Sequence, residues 1–230
     1  MLSKLIAVAV LSLGMAFADT VTAVNAGPLP AAADDLSGDA SLGVIIGSLY
    51  TGYNNSSFPN FESVFKINIL NYLLFSAETV PVGAHGIPDT DLFLFDSTGH
   101  GVYGNDDISG SNTLSCLPSL SSNPCPSSRN GTGPTHDGIY YLAIAISADY
   151  PISSAGEIFN FSQSTNVVGP DLALGGALPI SGWDNGAFTS PDFDNVNYEI
   201  VLNGTAPEPA TWLLIAAPLL ALWIARKRMA

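Results

Sequence analysis

An all-β fold, a jelly-roll-like sandwich of two sheets between an N-terminal signal helix and a C-terminal transmembrane helix, follows from three features of the sequence. Short apolar runs are separated by Gly, Pro, Asn, Asp and Ser. Several of those runs alternate apolar and polar residues. No long segment holds a helical period, and 22 Gly with 16 Pro would break most candidates. The expected organisation is a signal peptide at 1–18, a linker at 19–40, a β-sandwich domain at 41–205 and a terminal segment at 206–230.

The chain begins with a secretory signal. Lys4 supplies positive charge, Leu5 to Met15 an apolar core interrupted by Ser12 and Gly14, and Ala16-Phe17-Ala18 a small-x-small site that sets cleavage between Ala18 and Asp19. In the body, "LGVIIGSLY", "FESVFKINI", "LNYLLFS", "DLFLF", "GVYG", "GIYYLAIAIS", "GEIFNF" and "NYEIVL" read as roughly eight strands, the number expected of a sandwich. Phe61, Phe65, Ile67 and Ile69 share one face, with Glu62, Lys66 and Asn68 on the other. Tyr140, Leu142, Ile144 and Ile146 oppose Ile139, Tyr141 and Ala143, while Tyr198, Ile200 and Leu202 oppose Glu199. Ala18 to Asp39, Leu114 to Asp137 and Gln163 to Asn195 are loop-like in composition.

Between Asp19 and Ala206 only Lys66 and Arg129 are basic, against nineteen acidic residues, a formal charge of −17. Such a body excludes nucleic acid and anionic lipid as partners recognised through a basic face, and favours cations. Cys116 and Cys125 are the two cysteines, and in an exported chain they read as a local disulfide rather than a zinc or redox pair, for which C-x8-C is the wrong spacing. Closing so short a loop is worth about 2–3 kcal/mol.

The most informative stretch is "DTDLFLFDSTGHGVYGNDDISGSN", Asp89 to Asn112. Two apolar strands flank Asp96-Ser97-Thr98-Gly99, whose Asp and Gly supply the acceptor and the positive φ of a tight reversal. An antiparallel hairpin then brings its outer ends together, Asp89 and Asp91 on one side and Asn105, Asp106 and Asp107 on the other. Four carboxylates and an amide in one place repel unless solvated or neutralised, and calcium bound through oxygen is the economical neutraliser. The alternative is a solvated acidic loop. The spacing is not an EF-hand: Asn105, Asp107, Ser109 and Gly110 mimic its first half, but Cys116 stands where the closing Glu belongs.

With the later "GIYYLAIA", this stretch resembles the bacterial pre-peptidase C-terminal domain over about Asn60 to Ser147. The resemblance implies a jelly-roll sandwich that accompanies secretion or binds ligand without being a catalyst, some members holding calcium. The Leu114 to Asp137 insertion departs from the pattern, and no peptidase domain precedes the match.

Catalytic motifs are missing. There is no G-x-S-x-G and no H-E-x-x-H, and His85, His100 and His136 fall in Gly-flanked loops. Paired carboxylates leave one enzymatic alternative open, a secreted glycan or peptide hydrolase using Asp89, Asp91, Asp106 or Asp107. Trp183, the one Trp of the body, suits packing at a turn at least as well as sugar stacking. The favoured class is therefore a non-catalytic, surface-displayed protein associated with extracellular polysaccharide matrix or biofilm.

The C-terminus carries a second address. Pro207-Glu208-Pro209, an apolar run from Thr211 to Ala225 and the basic tail Arg226-Lys227-Arg228 resemble the PEP-CTERM sorting signal of Gram-negative bacteria. That resemblance implies export through the translocon, retention in the inner membrane, recognition by an exosortase and release toward the cell surface. The basic tail keeps the end cytoplasmic. Fifteen residues span only about 22 Å against a hydrocarbon core of roughly 30 Å, and Pro218 lies in their middle. A marginal anchor suits a segment held until it is processed.

Overall fold

The computed structural model describes residues 18–23, 26–49, 61–83, 86–120, 125, 131–162, 165–184, 186 and 196–206. The signal segment through Phe17, Pro207-Glu208-Pro209, the run 211–225 and Arg226-Lys227-Arg228 lie outside the described residues, as do His85 and Arg129. The described residues belong to one compact unit. Among them no helix is long and apolar enough to cross a membrane.

The unit is all-β. Its strands are β1 Asp19–Thr22, β2 Asp34–Asp35, β3 Leu42–Leu49, β4 Glu62–Ile69, β5 Ser76–Val80, β6 Thr90–Asp96, β7 Gly101–Asn105, β8 Cys116–Leu117, β9 Gly138–Ile146, β10 Pro151–Ser153, β11 Gly156–Glu157, β12 Val167–Val168, β13 Gly182–Trp183 and β14 Val196–Asn203. One sheet runs β1-β3-β14-β5-β8, another β12-β7-β6-β9-β4-β2, and a small third sheet β11-β10-β13. Both large sheets are mixed: β1 joins β3 and β2 joins β4 in parallel, and the remaining pairs are antiparallel.

The two large sheets pack face to face, and the alternation read from the sequence fills the space between them. Phe65, Ile67 and Ile69 of β4, Tyr140, Leu142, Ile144 and Ile146 of β9, and Tyr198, Ile200 and Leu202 of β14 share one core, with Phe61 against its edge. Fully burying each such side chain stabilises the fold by about 1.5–3 kcal/mol. Gly47 belongs to this layer because the Tyr198 ring lies where a side chain at that position would stand.

A second core covers the opposite face of the six-stranded sheet. Phe93, Phe95, Val64, Ala143 and Ala145 meet Ile158, Phe159, Ile180 and Trp183 from the chain that follows β9. This explains the unbroken apolar run of β6, which is buried on both faces. It also corrects the polar face expected of β4: Glu62 is 7% exposed because the outer layer closes over that end of the strand.

Several segments differ from expectation, among them β8, β12 and β13, short strands within the stretches 114–137 and 163–195 whose composition is loop-like. "LNYLLFS" is a turn rather than a strand. The amides of Leu70 and Asn71 both donate to the Gly204 carbonyl at 2.8 and 2.9 Å, and that of Tyr72 to Asp137 at 2.8 Å, so the chain reverses and the strand starts at Ser76. In "GEIFNF" only Gly156–Glu157 is strand. The stretch 19–40, linker-like in composition, adds β1 to one large sheet and β2 to the other.

Candidate cation site

The β6–β7 hairpin sets the site. At its tip the amide and hydroxyl of Thr98 donate to the Asp96 carboxylate at 2.8 and 2.6 Å, and Gly99 takes φ 86°, the left-handed value that the turn requires. From that tip the ladder runs back through Leu94 opposite Tyr103 and Leu92 opposite Asn105. One further step in the same register faces Asp91 with Asp106. The outer ends of the hairpin therefore meet, as the sequence predicts.

Asp89, Asp106 and Asp107 each present a carboxylate oxygen within 4.8 Å of the others. That span is about twice a calcium–oxygen bond of ~2.4 Å, so one ion can touch all three. Asp91 lies beneath them, 0% exposed, with its carboxyl hydrogen-bonded to that of Asp106. Burial, reinforced by the charges of Asp106, Asp89 and Asp107, raises Asp91 well above the ordinary carboxylate range. Burial and the same neighbours push Asp89 up to about 6, and burial also raises Asp106.

Asn105 stands beside these groups as a brace. Its amide nitrogen donates to the carbonyls of Asp107 at 3.0 Å and Asn166 at 3.2 Å, and its oxygen accepts from the Cys116 amide at 2.8 Å. Cys116 and Cys125 form the disulfide pair expected of them, with Cα atoms 5.7 Å apart, so the site is tied directly to the cysteine loop.

Three further groups at this end were not legible in the sequence. The Tyr150 hydroxyl donates to Asp106 at 3.4 Å, and its ring stacks on Phe161 with centroids 5.2 Å apart. Burial, then the charges of Asp91 and Asp106, raises its phenol. Glu62 and Asp91 lie in one row, each opposite Ala145 on β9. Burial raises Glu62, and a hydrogen bond with the fully buried Asp149 offsets part of that rise. The only warning available was position: Asp149-Tyr150 follows a long strand, and Glu62 begins one.

Among the described residues, neutralising side chains are remote. Lys66 is paired with Asp35 at 2.8 Å, and His100 lies 4.0 Å from Asp96 at the hairpin tip, the far end of the sheet. His136 bonds the Asp137 carbonyl near the start of β9, also at that far end. Trp183 fills the outer core, donating its indole N–H to the Pro28 carbonyl at 2.6 Å. Carboxylates this buried, without a described cation beside them, fit a hard divalent ion bound through oxygen.

No protein-family model, curated protein or solved structure matches this chain.

Proposed function

We propose that this chain is an exported, non-catalytic β-sandwich protein in which calcium neutralises the acidic end. In this reading the translocon exports it, and an exosortase acts on its PEP-CTERM signal in the inner membrane. The body, resembling the pre-peptidase C-terminal domain, then joins the extracellular polysaccharide matrix at the surface of a Gram-negative bacterium. The observation that carries the cation assignment is the convergence of Asp89, Asp106 and Asp107, whose carboxylate oxygens lie within 4.8 Å of one another above the fully buried Asp91.

A jelly-roll path is supported by strand order. Without the parallel edge strands β1 and β2, and without β12, the order is β3-β14-β5-β8 in one sheet and β4-β9-β6-β7 in the other, with every neighbour antiparallel. That is the order of two interlocked Greek keys. The non-catalytic reading is supported by Asp91 and Asp106 at 0% and 6% exposure, since an acid–base pair needs substrate contact. His100 and His136 lie at the opposite end of the sheet.

Calcium titration followed by calorimetric unfolding tests the proposal. An ion that binds only the native state stabilises by about 2.7 kcal/mol at a hundred times its dissociation constant. An unfolding temperature unmoved by millimolar calcium returns the cluster to an acidic turn without a ligand.

A further inference from the structure

The large apolar side chains left exposed among the described residues are all leucines: Leu70, Leu73, Leu120, Leu172, Leu174 and Leu178. Single exposed leucines need no explanation, but these share one end of the sandwich. Leu70 follows Ile69, the β4 residue opposite Gly138, where β9 starts. Leu120 is held to Leu73 by an amide-to-carbonyl bond of 3.1 Å. Leu172 to Leu178 precede Pro179 and Ile180, which meet the hairpin tip at Gly99, the Ile180 amide donating to the Gly99 carbonyl at 2.9 Å. The acidic cluster lies at the other end, in the rows of Ala145 and Ile146.

The chain leaves the folded unit at the leucine end. Gly204, which accepts from Leu70 and Asn71, is followed by Thr205 and Ala206, and the apolar run begins five residues later at Thr211. We propose that this end rests on a lipid surface, its leucines dipping among the headgroups while the acidic end faces outward. The inference rests on the reading of 211–225 as a membrane segment. A body of formal charge −17 is repelled by anionic lipid, so the surface it fits is zwitterionic.

The test uses the full chain reconstituted into phosphatidylethanolamine/phosphatidylcholine vesicles, with the native cysteine pair kept oxidised. Leu120→Cys, Leu172→Cys and, at the acidic end, Gly110→Cys each receive an environment-sensitive fluorophore. All three positions are exposed, so folding is not at stake. Lipids carrying a quencher at the headgroup boundary are expected to quench the probes at 120 and 172 at least twofold more than the probe at 110, and phosphatidylglycerol is expected to reduce the difference. Equal quenching at both ends in chains that float with the vesicles overturns this inference and leaves the membrane segment standing. Chains that do not float overturn both. Lipid-independent cross-linking of the leucine-end cysteines between chains shows a second copy on this face and also overturns the proposal.

Discussion

Without calcium, the protein is predicted to lose stability as pH rises from about 4.5 to 7, the reverse of ordinary acid denaturation. Asp89 and Asp91 have folded-state values above that of an unfolded carboxylate. In the window between the two, the native state therefore holds more protons than the unfolded state. Stability is fully present below the unfolded value and drains away as pH climbs through the folded one. For Asp89, a rise from an unfolded value of about 3.9 to about 6 corresponds to roughly 3 kcal/mol, cut to on the order of 1–2 kcal/mol by solvent screening of its partly exposed side chain. In a domain of this size that is roughly 5 °C of unfolding temperature. Asp91 adds in the same direction. Asp35, lowered to about 2 by its hydrogen bond to Lys66, acts below this window and does not confound it. Scanning calorimetry across this range in chelator, repeated in saturating calcium, reads the effect directly. Calcium should abolish the decline by holding the carboxylates ionised, and Asp89→Asn should flatten it. A chelated protein whose unfolding temperature is flat or rises over this interval refutes the reasoning.

The outer layer should depend on Phe93, which is fully buried and touches Phe159, Phe161 and Trp183 at centroid distances of 5.5, 5.8 and 5.6 Å. Phe93→Ala is expected to cost about 3–5 kcal/mol in urea unfolding, and a loss below 1 kcal/mol contradicts the two-core account. Replacing Cys116 and Cys125 together by Ser should lower stability by about 2–3 kcal/mol, and through Asn105 it should also weaken calcium binding. Thr90→Val removes the hydroxyl bonded to Thr79 at 2.8 Å and Ser115 at 2.7 Å, and should cost about 1–3 kcal/mol. Mass spectrometry of surface protein should find chains ending before Thr211, whereas an intact Ala230 rules out processing at the sorting motif.

Strand pattern was legible wherever one face of a strand differed from the other. β4, β9 and β14 alternate because each turns one side to the core shared by the two large sheets. "LNYLLFS" misled because a run of apolar residues has no period, and what decided it was the Gly204 carbonyl more than a hundred residues away. The same limit hid Glu62. Alternation places it on the polar face, but whether that face meets water depends on residues 150–183 folding over it. Asp89, Asp91, Asp106 and Asp107 could be foreseen together because a hairpin with a short turn determines its own register. Asp149 and Tyr150 reach the site across a tertiary contact that no local spacing encodes.

The central claim is that the acidic end is built around a divalent ion. Anomalous diffraction from crystals grown in calcium tests it most directly. The account predicts a peak coordinated by oxygens of Asp89, Asp106 and Asp107 at about 2.3–2.6 Å, absent from the Asp106→Asn protein. A map without density among these carboxylates, at a calcium concentration that saturates any effect on unfolding, contradicts it.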